Sequence, residues 1–487
     1  MQYSRMDMDE GSHILSRDNS MTAPSSPTSS HASDMYQLVD NDEEKRQKSN
    51  IPMASFNFIN SIIGSGIIGM PFALKQAGFG MGIILLILVS IMTDYSLILL
   101  IHGGELSNTY SYQDLVRAAF GRPGFYVLTI MQFLYPLIAM ISYNIIIGDT
   151  ITKIVVRLGG ESLRYSILGN RQFIIVIVTL LFTLPLSLYQ NIAKLSKVSL
   201  IALLGILFII GAMISKAVTM KDMVPATEGA WEFANYNITS ALGIMAFAYM
   251  CHHNSFIIYD SLEKRSEKNW QVVTHLSVIF SMLCTLALAV TGYITFTGLT
   301  EGDVLENYCH KDDLANAARV IFAITIMLTF PIECFVTREV IEIAVFPNRS
   351  FPKPLWRHIT ITLVVVVTTV LISMLTDCLG IVLELNGVLN AAPLAYIIPP
   401  LCVMKLQQEP ILCRKNIGPL TCALFGALVC VIGMVMWIYN LAQGVTCNHG
   451  REMAYCLKAD GNASLVENST HSFFTDMTTT SNVVTVG

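Results

Sequence analysis

The stretch NSIIGSGIIGMP at 60–71 stands inside an apolar run that begins near Ile51. It holds an Asn, two serines, three glycines and a proline, residues that weaken a helix or demand hydrogen bonds. An unsatisfied backbone group in hydrocarbon costs several kcal/mol, so irregular backbone survives at membrane depth only where protein buries it or it lines a cavity. Gly64, Ser65 and Gly66 therefore mark a place where a spanning helix unwinds. Unwinding frees carbonyls that suit Na+ and N–H groups that suit a carboxylate. The competing reading is a packing face of small residues made by Ser65 and Gly69, four apart. It leaves Asn60 without a role, although its amide needs a partner in lipid.

The whole chain agrees with a membrane setting. Hydrophobic residues make up 53% of it and charged residues 13%, against roughly a quarter in soluble domains; mean hydropathy is +0.56. A ruler of about 20 apolar residues per crossing gives about eleven candidate spans. They are 51–73, 79–101, 125–151, 172–190, 196–216, 238–259, 272–296, 315–337, 358–376, 379–403 and 420–442. The expected organisation is a polar N-terminal tail at 1–50, a transmembrane domain at 51–442 and a C-terminal tail at 443–487. The N-terminal tail is Ser/Thr-rich, lacks the apolar core of a signal peptide and reads as disordered. Within it YQLV at 36–39 has the form of a tyrosine-based sorting signal, a pattern short enough to arise by chance.

Positive charge orients the spans. With the N-terminal tail inside, the inner connections carry Arg117, Arg122, Lys194, Lys197, Lys264, Arg265, Lys268, Arg338, Arg349, Lys353, Arg357, Lys405, Arg414 and Lys415. The outer connection at 152–172 is an exception, with Lys153, Arg157, Arg164 and Arg171. An odd number of spans then puts the C-terminal tail outside, where its sequons at Asn462 and Asn468 are glycosylation candidates. Asn237 is a third outer candidate close to a helix start, and Asn348 falls inside and silent. Of eleven cysteines, Cys251, Cys284, Cys334, Cys402, Cys422 and Cys430 sit in or beside apolar runs as small hydrophobes. Cys309, Cys447 and Cys456 fall in polar loops, where an oxidising compartment permits a disulfide.

The segment FNFINSIIGSGIIGMPFALKQAGF at 56–79 resembles the first helix of sodium-coupled neutral amino acid transporters, in the amino acid/auxin permease group. Its core matches N-[AS]-[IV]-[IV]-G-[ST]-G-[IV]-L-[GA] except that Ile68 replaces the usual Leu. The resemblance implies an all-α multi-pass membrane protein: two inverted five-helix repeats of leucine-transporter type plus one extra helix. It implies that Asn60 and the Ile63 carbonyl help hold Na+, and that Ser65 and Gly66 offer N–H groups to the substrate carboxylate.

Under that symmetry the sixth span mirrors the first and also breaks. In ITSALGIMAFAYMCHHNSFIIYDSLEK at 238–264 the cluster Cys251, His252, His253 and Asn254 interrupts the apolar run, and Phe247 and Tyr249 are candidates for a side-chain pocket. For the histidines the blander expectation is a place at the inner helix end, facing water. In the eighth span Thr325 and Thr329 are four apart and share a face. The resemblance assigns Thr329 to the sodium site, with Thr325 in reserve. Both could instead bond back to carbonyls one turn earlier.

Glu333 lies one turn beyond Thr329 and reads as a proton-coupling or gating group. The alternative is a salt bridge to Arg338. Asp94, Asp149, Asp377 and Glu384 are further acidic positions near span centres or ends. Glu384 ranks first among them, in a span that Gly387 and Pro393 loosen.

The reading is a secondary transporter of small neutral amino acids, coupled to Na+ with H+ exchange open, in the plasma membrane or an endolysosomal membrane. Proton-driven transport and an amino acid sensor of the same fold are the alternatives. An intramembrane enzyme built on His252, His253 and Asn254 lacks a complete acid/base set. No ATP-binding loop of the form G-x-x-x-x-G-K-[ST] occurs, so an ion gradient supplies the energy. The expected partners are the bilayer, the amino acid, Na+ and H+, with no cofactor and no nucleic acid.

Overall fold

A computed structural model describes residues 49–443, except 161, 164–165, 190–197, 347–353, 377 and 411, together with 453–459. The tail at 1–48 with its YQLV motif, the sequons at Asn348, Asn462 and Asn468, and most of the C-terminal tail lie outside the described residues. So do Arg164, Lys194, Lys197, Arg349, Lys353, Asp377 and Cys447.

The described chain is helical throughout. The first span is two helices, α1 (Ile51–Ile62) and α2 (Met70–Ala77), joined through a tight turn of 3-10 helix at Ser65–Gly69. The Asn50 side chain caps α1 by accepting from the Met53 amide at 3.1 Å, with Pro52 in the first turn, where its missing N–H costs nothing. Then α3 (Phe79–Ser107) and α4 (Tyr112–Gly159) follow. The run at 125–151 is thus only part of α4: a capped stretch from Tyr112 joins it through Gly121, whose φ of 67° kinks the helix.

The fourth span, α5 (Arg171–Ser187), is short and contains a π-turn at Thr179–Thr183 just ahead of Pro185, which cannot donate to the carbonyl four residues back. After α6 (Val198–Thr219) the sixth span is again two helices, α7 (Ile238–Ala248) and α8 (His252–Ser261). The remaining spans are α9 (Glu267–Phe296), α10 (Asp313–Val345), α11 (Leu355–Ser373), α12 (Leu379–Gln407) and α13 (Arg414–Ala442); a last short helix, α14 (Ala454–Ala459), follows.

Among the described residues nine helices are long and apolar enough to cross a membrane; the bent first pair makes a tenth, and α5 is a shorter apolar helix in the fourth position. As expected, Gly387 and Pro393 loosen α12, which carries π-turns at Gly387–Ala391 and Pro393–Ile397. A Cβ on Gly387 would run into the Gly243 backbone, so two glycines let α7 and α12 cross in contact.

The described cations of the exceptional connection are paired. Lys153 lies 3.2 Å from Glu306, Arg157 2.9 Å from Asp313, and Arg171 bonds Asp149. Asp94 likewise bonds His275 at 2.6 Å. The connection between α9 and α10 is bound into a cluster by buried Arg319, which donates to the carbonyls of Leu305 and Tyr308. A disulfide joins Cys309 in this connection to Cys456 in α14, and Tyr455 donates to the Asn307 carbonyl at 2.5 Å. Cys378, which adjoins an apolar run in the sequence, is disulfide-bonded as well.

Asp303 of that cluster accepts from the Leu305 amide at 2.9 Å. Burial, followed by the charge of Glu306, pushes its carboxyl up to about 7 from 3.8. Between those two values the folded chain holds a proton that the unfolded chain has released, so this group's contribution to stability falls as pH rises through that window. Asp303→Asn is expected to flatten that part of the profile of thermal midpoint against pH. An unchanged slope in the variant would assign the dependence to another group.

Candidate functional site

The break in the first span lies at Ile63 and Gly64, and the two halves meet at 52°. Ile63 (φ −81°, ψ 85°) and Gly64 (φ −114°, ψ −154°) leave the helical region. The half-helix Ser65–Ala77 then starts with amides that have no preceding turn to bond. Gly66 is required by close approach: a Cβ there would lie 2.6 Å from the Ala248 Cα. The breaks of the first and sixth spans therefore touch.

The sixth-span break runs from Tyr249 to Cys251 and contains no glycine. Side chains from neighbouring helices hold it instead. Tyr135 of α4 donates to the Phe247 carbonyl at 3.5 Å, Tyr249 pairs with Thr285 at 2.7 Å, and His252 lies 3.3 Å from the Ser96 hydroxyl. Tyr249 is fully buried toward α9, its hydroxyl paired with Thr285, and lines neither of the cavities beside the breaks. His252 is fully buried at the break rather than facing water at a helix end.

Two cavities flank the breaks. The larger, about 240 Å³, lies among α1, α4, α7, α8 and α10 and takes in Asn60, Ser65, Gly66, Phe247, Thr329 and Glu333. It extends along α1 to Asn57 and along α8 to Ile258, while no residue of α2 lines it. It thus reaches toward the face of the bundle where α1 begins. The smaller cavity, about 90 Å³, lies between α1, α6 and α10. All four residues proposed for sodium, Asn60, Ile63, Thr325 and Thr329, line it, together with apolar Ala202 and Ile206 from α6.

The threonines do bond back along their helix: Thr325 donates to Ile321 at 2.9 Å and Thr329 to Thr325 at 2.8 Å. This does not compete with cation binding. A hydroxyl that gives its proton to a carbonyl keeps its lone pairs and presents them outward. Asn60 is in the same position, since its Nδ2 donates to the Phe56 carbonyl at 3.3 Å and leaves Oδ1 free of that bond.

Glu333 does not pair with Arg338. The guanidinium bonds the Ser187 carbonyl at 3.3 Å and the Thr362 hydroxyl at 3.1 Å, on the opposite side of α10. The Glu333 carboxylate instead faces the larger cavity, and its Oε2 has no hydrogen-bond partner among the described residues. Glu384 lies apart from both cavities, buried in α12 and accepting from Ser240 at 2.8 Å. Asn237 donates its amide nitrogen, the atom a glycan would take, to Gln76 at 3.0 Å.

The cavity also holds residues that sequence reasoning had not placed in a binding site. Asn57 and Ser61 flank Asn60 on α1, Asn254 ties the two broken spans by donating to Ser61 at 2.7 Å, and Tyr135, Tyr143 and His253 close the wall. The signal for Asn57 was available, as a second amide in a membrane run. The tyrosines carry no such signal, since their rings read as apolar.

Comparisons with known proteins identify the family of this chain. The family described as transmembrane amino acid transporter protein covers residues 47–442. "Putative sodium-coupled neutral amino acid transporter 11" of Danio rerio is 48% identical over 86% of this chain and 92% of its own. The protein of the same name from Homo sapiens is 49% identical over 79% and 93%. "Vacuolar amino acid transporter 2" of Saccharomyces cerevisiae is 30% identical over 85% and 89%. Among solved structures, a manganese transporter of Eremococcus coleocola superposes with a TM-score of 0.50 at 12% identity, over 88% of this chain and 94% of that one. The last likeness is one of fold, the leucine-transporter type with two broken helices at its centre. With a match spanning the whole helical bundle and relatives near half identity, the chain belongs to the transmembrane amino acid transporter family.

Proposed function

We propose that this chain carries neutral amino acids together with Na+ by alternating access, with H+ moving the other way. The observation that carries the reading is the paired cavities at one helix break. The smaller is lined by the oxygen-bearing set Asn60, Ile63, Thr325 and Thr329. The larger meets the start of the half-helix Ser65–Ala77, whose N–H groups and dipole favour a carboxylate. Phe247 borders the space left for a substrate side chain. The names of the relatives, which specify sodium and neutral amino acids, support both assignments.

In this arrangement Na+ sits beside the substrate and offsets part of the charge of its carboxylate, so each favours binding of the other. The cavity extends toward the start of α1, and we read this as the state open on the face of the bundle where α1 begins. We assign that side to the cytoplasm from the charge of the connecting loops. The disulfide between Cys309 and Cys456 supports the assignment, because it suits an oxidising compartment at the other face.

Replacing external Na+ by a large organic cation at fixed pH is expected to abolish amino acid uptake into proteoliposomes; retained uptake would transfer the coupling to protons. Counterflow of labelled amino acid separates a transporter from a sensor, since a sensor binds without exchange.

A further inference from the structure

We infer that the Glu333 carboxylate holds the α-ammonium group of the bound amino acid, and that a proton takes the same place when the carrier is empty. This rests on the reading of the cavity as an amino acid site and assigns the residue that couples it to protons.

Among the described residues Glu333 is the one lining residue of the larger cavity that carries a full negative charge, and no described Lys or Arg lines that cavity. Its Oε2 has no partner among the described residues. A bare carboxylate at membrane depth is too costly to persist, so a cation accompanies it in each state of the cycle. The titratable groups facing it are Tyr135 and Tyr143 from α4 and His253 from α8; α1 contributes only uncharged Asn57, Asn60 and Ser61.

Charged groups on the other elements packed against α10 are engaged elsewhere. Lys216 of α6 pairs with Asp312, Arg357 of α11 with Glu342, and His358 bonds the Leu188 carbonyl. The cation must therefore come from solvent or substrate.

An amino acid supplies it in the right place. Ser65, Tyr143 and Glu333 line the same cavity, so the carboxylate anchor at the break and the ammonium anchor on α10 open onto one space. Binding replaces the proton on Glu333: the carboxylic acid gives up its O–H proton to water, and the resulting carboxylate accepts from the substrate N–H groups. One Na+ and a zwitterion against ionised Glu333 leave the loaded site with the same net charge as the empty site with protonated Glu333. Both forms can cross between faces at similar electrostatic cost, and neither returns without its cation.

The test uses purified full-length protein in weakly buffered detergent with NaCl and a pH indicator. L-Alanine is expected to release a proton on binding, and its apparent affinity to fall about tenfold per pH unit toward acid once Glu333 is protonated. L-Lactate, which has a hydroxyl in place of the ammonium, is expected to bind at least tenfold more weakly and release none.

In Glu333→Gln the affinity for alanine is expected to drop at least tenfold, with proton release and pH dependence both lost. The lactate comparison on the unaltered protein keeps the test open even if that variant does not fold. Alanine binding without proton release, or release that persists in Glu333→Gln and disappears in His253→Asn, overturns this assignment alone. Absence of any Na+-dependent alanine binding overturns the amino acid site itself and this assignment with it.

Discussion

Gly66→Ala is expected to lower amino acid uptake roughly a hundredfold per protein molecule in proteoliposomes. The added Cβ would lie 2.6 Å from the Ala248 Cα, 2.7 Å from its Cβ and 3.1 Å from the Phe247 ring. Backbone stands on both sides of this contact, so no side chain can swing aside to relieve it. The two broken spans must separate, which moves the amides at Ser65 and Gly66 relative to the cavity wall. A shift of about 1 Å in a binding constellation costs on the order of a hundredfold in rate, and overpacking costs a further 1–3 kcal/mol or so in stability.

Gly211→Ala in α6 is the matched control, because nothing lies within 4 Å of a Cβ at that position. Its uptake is expected to stay within about twofold, since alanine is the better helix former. Equal losses in the two variants would show that glycine content, rather than contact between the breaks, sets the effect.

What the sequence disclosed follows from how each break is made. The first break is written in glycines, which act locally, so its position could be read before any fold was known. The sixth break is imposed by Tyr135, Thr285 and Ser96 from other helices, and only tertiary structure shows why the chain leaves the helix at Tyr249. For the same reason the sequence does not separate Phe247 from Tyr249: Phe247 faces the cavity, whereas the irregular turn directs Tyr249 toward α9.

The geometry of a regular helix, by contrast, could have corrected one expectation. Residues five apart on an α-helix point roughly 140° away from each other, so Glu333 and Arg338 are poorly placed to pair. Thr329 and Glu333, four apart, share the cavity face as their spacing requires. The disulfide pairing was not legible, because loop cysteines find partners across 147 residues of chain only after the helices have packed.

Thr329→Val should raise the Na+ concentration for half-maximal uptake by roughly thirtyfold, the equivalent of about 2 kcal/mol for one lost oxygen contact to a charge. Thr329 is the residue of α10 that lines both cavities while also carrying a hydroxyl. Its proton is given to the Thr325 carbonyl, so what valine removes from the cavity is a pair of acceptor lone pairs. At saturating Na+ the uptake rate should return to within a few-fold of the unaltered protein, because the contacts proposed for the substrate at Ser65, Gly66 and Glu333 are untouched.

Loss of the back-bond itself is a possible confounder, and Thr291→Val isolates it. Thr291 in α9 makes the same bond, to the Ala287 carbonyl at 2.6 Å, but lines neither cavity. Its Na+ dependence is therefore expected to remain unchanged. If the two variants shift the Na+ titration alike, the hydroxyl acts through the helix and the sodium assignment fails. A shift in Thr329→Val and Thr325→Val that Thr291→Val lacks places the ion in the smaller cavity between α1, α6 and α10. It would then join the first half of the broken span to α10, and sodium would act as the cation that holds α1 against α10 while the amino acid is aboard.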